Sequence, residues 1–327
     1  MSTPSPVQPR SARSALRLVG QIAIVAACLG LTGYAVTRQW TDVARVIGEL
    51  SVWSLLAATL LAMAGIWFSF LSWRALLADF GSAVPLTGAM RIFFVGQLGK
   101  YVPGKVWPIL AQMRLGRAHR VPGRTSAAAA AIVTLITLGA GLLVTAITLP
   151  VLGANALSRY WWTLLALPLA LLVLWPPVLN GLLARLMRLA RREPMPQPLT
   201  GAGVARAVGW ALVMWLCYGV HLWILLGASQ PLTPGLLVRS VGAFAGSWAI
   251  GFLLLLAPAG LGPREVALVV MLGGAVAQPV ALVAALISRL LLTIADIAWP
   301  AIALAVDRRR PSPEIDAVPA ADAANAV

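Results

Sequence analysis

Six runs of about 20 apolar residues, at 16–36, 52–73, 126–149, 161–182, 207–228 and 280–306, constrain this chain more than any other feature. A hydrocarbon core about 30 Å thick takes about 20 helical residues to cross. Inside lipid the backbone must satisfy its own hydrogen bonds, and no barrel-like alternation is present, so the runs read as helices. Hydrophobic residues make up 60% of the chain and charged residues only 11%, where a soluble domain carries about 25% charged residues. The expectation is an all-α polytopic membrane protein. One integral membrane domain, 15–307, lies between the tails 1–14 and 308–327, whose Pro, Ala and Ser without an apolar period read as disordered.

Two further apolar stretches are broken. The first, about 86–112, is interrupted by Gly96, Gly99, Pro103, Gly104 and Pro108; the second, about 236–277, breaks at Pro258-Ala259-Gly260-Leu261-Gly262-Pro263. With both termini cytoplasmic and each broken segment re-entering from its own side, 17 arginines lie inside and four (Arg38, Arg45, Arg159, Arg239) outside. That asymmetry obeys the positive-inside rule and points to a multi-pass protein of the plasma membrane. It also accounts for most of the +15 net charge without a nucleic-acid partner, because the arginines are spread over separate loops that can meet anionic lipid. Six full spans and two re-entrant segments then form inverted halves, an arrangement that puts a site between broken helices near the midplane. Eight plain spans with kinked helices is the alternative, since membrane helices tolerate Pro and Gly.

The basic residues inside the membrane segments are Lys100, Lys105, Arg264 and Arg289. The chain's only two lysines, among 25 Lys and Arg, stand in one stretch, Gly99-Lys100-Tyr101-Val102-Pro103-Gly104-Lys105. Each break opens a new half-helix whose N-terminus attracts anions through its unpaired N–H groups and its dipole. Lys105 follows Pro103-Gly104 in one such turn. In the other, Gly262 caps a helix with Pro263 at its first position and Glu265 in its first turn, and Arg264 stands beside that N-terminus. Arg289 and Asp296 lie seven residues apart on one helical face; ionisable groups inside a span are costly and so tend to be paired. The expected pairs are Arg289 with Glu265, and Asp296 with a lysine. The competing readings are plain: lysines that snorkel to the headgroups, and an Arg264–Glu265 clasp that is purely structural.

Other constellations carry little. Val25-Ala26-Ala27-Cys28 looks like a lipoprotein box, yet the apolar run continues to Val36, so it reads as an anchor helix. Cys217 reads as an inert buried thiol, His119 as solvated and His221 as a packing residue. No HExxH, Ser-His-Asp, Walker or zinc spacing occurs, so no cofactor or metal is expected.

On Gly96-Gln97-Leu98-Gly99-Lys100-Tyr101-Val102-Pro103-Gly104-Lys105-Val106-Trp107 and Pro258-Ala259-Gly260-Leu261-Gly262-Pro263-Arg264-Glu265, the chain resembles the lysylphosphatidylglycerol synthase transmembrane family, also described as the flippase-like domain family. The resemblance covers about 15–307. Ala259-Gly260 stands where the family pattern has Gly-Gly, and Pro263 where it has a small apolar residue. The resemblance implies movement of a phospholipid or lipid-linked headgroup between leaflets. About 21 residues follow the last span, so the soluble aminoacyl-transferase domain of the bifunctional relatives is expected to be missing. Three function classes follow. The first is a lipid translocase for an anionic phospholipid or polyprenyl-phosphate-linked lipid, with Lys100, Lys105 and Arg264 on phosphate and Tyr101, Glu265, Arg289 and Asp296 shaping or gating the pocket. The second is a membrane-embedded transferase using Glu265 or Asp296 as general base. The third is a non-catalytic partner of a cell-envelope enzyme.

Overall fold

A computed structural model describes residues 34, 37–101, 106–152, 166–189, 193–195, 197–253 and 262–308. The first apolar run, apart from its end, both tails, and the sequence candidates Pro103, Gly104, Lys105, Pro258 and Gly260 lie outside the described residues.

The described chain is built of helices: α1 (Trp40–Glu49), α2 (Val52–Asp79), α3 (Leu86–Met90), α4 (Trp107–Arg117), α5 (Gly123–Thr148), α6 (Ala166–Leu174), α7 (Pro176–Leu189), α8 (Gly201–Leu226), α9 (Pro234–Leu253), α10 (Pro263–Leu272) and α11 (Gln278–Arg308). Five of them, α2, α5, α8, α9 and α11, are long and apolar enough to cross a membrane. Lipid explains their surfaces. α2 is apolar around most of its circumference, burying Phe70, Trp73 and Leu76 while Trp53, Leu56 and Leu60 stay exposed, as expected for a helix whose other side faces acyl chains.

α2 and α8 form the most extensive helix pair. Their ends are tied where Asp79 accepts hydrogen bonds from the Thr200 N–H (2.8 Å) and hydroxyl (2.7 Å), and the Ser72 hydroxyl donates to the Ala207 carbonyl (2.8 Å). Thr200 in turn caps α8 by accepting from the Gly203 N–H, so one side chain serves both helix starts and helix ends. Trp299 of α11 donates to the Met63 carbonyl (3.0 Å) and stacks on Phe94 at 4.8 Å. His221 is fully buried between three helices, with Nδ1 2.7 Å from the Ala58 carbonyl and Nε2 2.9 Å from the Ser288 hydroxyl. A carbonyl can only accept, so the proton sits on Nδ1 and Ser288 donates to Nε2. His221 is a satisfied packing residue, as read from the sequence.

Two elements depart from the sequence reading. The run 161–182 is not one straight span: α6 and α7 meet at 72°. Pro176 and Pro177 cause the bend, because neither has an N–H to give and their rings exclude the preceding turn. The second broken segment also has unequal limbs. α9 has 20 residues and α10 only 10, so this segment is a long limb followed by a short one.

Candidate functional site

The first broken segment folds back on itself. α3 runs on through a π-helical stretch, Arg91–Val95, to a 3₁₀ turn, Leu98–Tyr101, and α4 returns beside it. Gly88 lies against the His119 ring, Gly96 against Gln112 and Gly99 against Pro108. These contacts pair the described limbs in antiparallel register. Gly99 is required at the narrowest crossing: a Cβ there would stand 2.7 Å from the Pro108 nitrogen and 2.8 Å from the Trp107 carbonyl carbon, both backbone atoms that cannot swing away.

The second segment folds back in the same way. Gly251 of α9 lies against Arg264 of α10, and Gly246 against Met271. Gly262 opens α10 at φ 92° and ψ −68°, a conformation open essentially to glycine alone. Its N–H donates to Glu265 Oε2 at 2.7 Å, and Pro263 takes the first helical position. The Gly-Pro-x-Glu order thus makes a local stop that starts a helix inside the protein.

α11 measures the depth of both segments. Arg91, at the foot of the first hairpin, pairs with Asp307 (2.6 Å) near the end of α11. The tip of the same hairpin reaches Asp296, whose Oδ2 lies 2.6 Å from Lys100 Nζ and accepts a hydrogen bond from the Tyr101 hydroxyl at 2.7 Å. Eleven residues separate Asp296 from Asp307, about 16 Å at 1.5 Å per residue, which is half of a core about 30 Å thick. From the other end, α10 and α11 join through a short turn at 273–277, and Glu265 Oε1 lies 3.7 Å from Arg289 Nη1. Arg289 is 11 residues from Gln278, again about 16 Å in. The two hairpins therefore enter from opposite ends of α11 and reach its middle about 10 Å apart along the axis.

The structure thus makes both expected pairs, Arg289 with Glu265 and Asp296 with a lysine, which is Lys100. The 3.7 Å separation makes the Arg289–Glu265 contact an ion pair rather than a direct hydrogen bond. Arg264 does not clasp Glu265. Its guanidinium lies over the Phe244 ring, 4.7 Å from the centroid, a cation–π contact that holds a partly desolvated charge without neutralising it. The sequence reading missed Phe244; its signal is one bulky ring between Gly242-Ala243 and Ala245-Gly246. Arg264, Glu265, Leu268, Ala285, Ser288 and Arg289 enclose a cavity of about 10 Å³, room for one water at most. Around the middle of α11 the described charges are Lys100, Arg264 and Arg289 against Glu265 and Asp296, so three positive less two negative leaves one positive charge in excess.

Spanning helices and two folded-back broken segments define an all-α polytopic membrane protein. The chain belongs to the family described as the lysylphosphatidylglycerol synthase TM region, which matches residues 18–299. It is accordingly a multi-pass membrane protein of a family related to lipid modification or translocation. No curated protein matches the chain.

Proposed function

We propose that this chain moves a phosphate-bearing lipid headgroup, from an anionic phospholipid or a polyprenyl-phosphate-linked lipid, between the two leaflets of a plasma membrane. The observation that carries this reading is the meeting of two half-helix tips, from opposite ends of α11, around a centre with one positive charge in excess. A phosphodiester carries one negative charge, so its arrival neutralises that excess.

Lys100, Arg264 and Arg289 are the groups that contact phosphate. Glu265 holds Arg289 and Asp296 holds Lys100. The cavity between Arg264 and Arg289 admits no phosphate while Glu265 stands against Arg289, so the headgroup enters by parting that pair. Glu265 keeps the Gly262 N–H when it does so, and α10 stays capped. Tyr101, sharing Asp296 Oδ2 with Lys100, steadies the carboxylate while the lysine exchanges partners. Glycine and the half-helix starts add backbone N–H donors and a favourable dipole for the anion. Movement is downhill or driven by a gradient, because the sequence has no nucleotide-cradling motif.

The test is leaflet exchange in proteoliposomes of fluorescent anionic, zwitterionic and polyprenyl-phosphate lipids, wild type beside Lys100→Gln and Arg264→Gln. Headgroup-selective exchange lost in both variants supports the reading. Wild-type exchange in both variants, with the protein folded and inserted, removes the phosphate role.

A further inference from the structure

A second cationic pair lies away from the middle of α11. Arg74 of α2 and Arg206 of α8 line a cavity of about 290 Å³ together with Leu71, Ser82 and Trp210. The volume is near the lower end of small-molecule pockets, about 300 Å³. Arg74 stands five residues before the end of α2 and Arg206 five after the start of α8, and Asp79–Thr200 ties those two ends together. Both guanidinium stems therefore begin at one depth, about 7 Å inside the helix ends. α2 is about 42 Å long by its rise, which exceeds a 30 Å core by about 6 Å at each end. The arginines thus sit at the boundary between headgroups and acyl chains.

The chemistry of the cavity is graded along that axis. Towards the helix ends are two guanidinium groups and the Ser82 hydroxyl; deeper in are Leu71 and the Trp210 ring, which stacks on Phe68 at 5.5 Å. Among the described residues no carboxylate lies within 4 Å of either guanidinium, and the nearby Asp79 is engaged by Thr200. Two uncompensated forks above an apolar floor match a phosphate with acyl chains beneath it. Arginine supplies paired donors in the geometry that phosphate oxygens accept, and basic pockets between membrane helices bind anionic headgroups.

We infer that the cleft between the paired ends of α2 and α8 is a binding site for an anionic phospholipid of the adjacent leaflet, its phosphate on Arg74 and Arg206 and an acyl chain along Leu71 and Trp210. The charge pattern assigns that leaflet to the cytoplasmic side. This site is separate from the proposed mid-depth one, and it stands or falls independently of lipid movement.

Native mass spectrometry of the full chain in micelles, titrated with phosphatidylglycerol, phosphatidylcholine of the same acyl chains, or inorganic phosphate, tests it. The Lys100→Gln/Arg264→Gln variant serves as background, so that only this site is read. Each basic residue near a membrane surface contributes about fivefold to anionic-lipid binding, so R74Q/R206Q weakens phosphatidylglycerol retention about 30-fold. R74K/R206K keeps the charge, loses the fork and falls between the two; phosphatidylcholine binding is the same in all three. Equal phosphatidylglycerol retention in that background with and without R74Q/R206Q or R74K/R206K overturns the site. Displacement of phosphatidylglycerol by millimolar inorganic phosphate overturns the lipid assignment, because a free anion would then be the ligand.

Discussion

Replacing Asp296 with Asn removes the counter-charge from Lys100 while leaving an oxygen for the Tyr101 hydroxyl. Two unit charges 2.6 Å apart attract by about 6 kcal/mol at an effective dielectric constant of about 20. Most of this is offset by the cost of desolvating Asp296, whose side chain is only 13% exposed, and by solvent around Lys100, which is 35% exposed. Breaking a fully buried pair costs about 3–5 kcal/mol, and a surface pair is worth at most about 1 kcal/mol. A net coupling of about 1–2 kcal/mol follows for this half-buried case. A double-mutant cycle of Lys100→Gln and Asp296→Asn, read by SDS unfolding in mixed micelles, measures it. The Lys100–Asp296 pair also fixes a sign in binding. If Asp296 competes with phosphate for Lys100, Asp296→Asn binds phosphatidylglycerol about 5–30-fold more tightly, whereas Lys100→Gln binds it more weakly. Weaker binding in both variants, by similar factors, would falsify the competition and leave the pair a structural brace.

Three further predictions bear on how the site is built. Glu265→Gln keeps an acceptor for the Gly262 N–H and Glu265→Ala does not, so the Ala variant is the less stable by about 1 kcal/mol, measured by thermal unfolding in detergent. Gly262→Ala puts a Cβ at φ 92° and destabilises by about 1–3 kcal/mol; a wild-type midpoint would contradict the helix start described. Gly99→Ala forces the backbone at Trp107 and Pro108 to move and costs about 1–3 kcal/mol, whereas Gly48→Ala, with nothing within 4 Å, has no steric cost in the same assay.

The long helices were legible because lipid leaves a chain no other way to satisfy its backbone, so runs such as 126–149 and 207–228 correspond to α5 and α8. The ion pairs were legible for a related reason. A charge such as Arg289 or Asp296 in an apolar helix needs a partner, and few partners exist. Which lysine meets Asp296 was not legible, because that depends on where a hairpin tip lands on another helix. The π-helical stretch at Arg91–Val95 left no pattern in the sequence that separates it from an α-helix. The support of Arg264 by Phe244 comes from the crossing of α9 and α10, which residue spacing within either helix does not encode. Pro176-Pro177 did carry the signal for the bend between α6 and α7, but the apolar run around it outweighed the break. The Arg74–Arg206 pair is the same kind of case: two unremarkable loop-side arginines, 132 positions apart in the sequence, become neighbours only when α2 and α8 lie side by side.

The claim on which the rest depends is that two hairpins enter from opposite faces and turn back at mid-depth. Single cysteines at Ser82 and Arg120, and at Pro231 and Gly274, in a chain with Cys28 and Cys217 replaced by serine, test it through labelling by a membrane-impermeant maleimide on sealed vesicles. Positions 82 and 120 are expected to label from one face, and 231 and 274 from the other. Labelling of 82 and 120 from opposite faces would make the first segment a plain span, and the mid-depth meeting of the two tips would then be wrong.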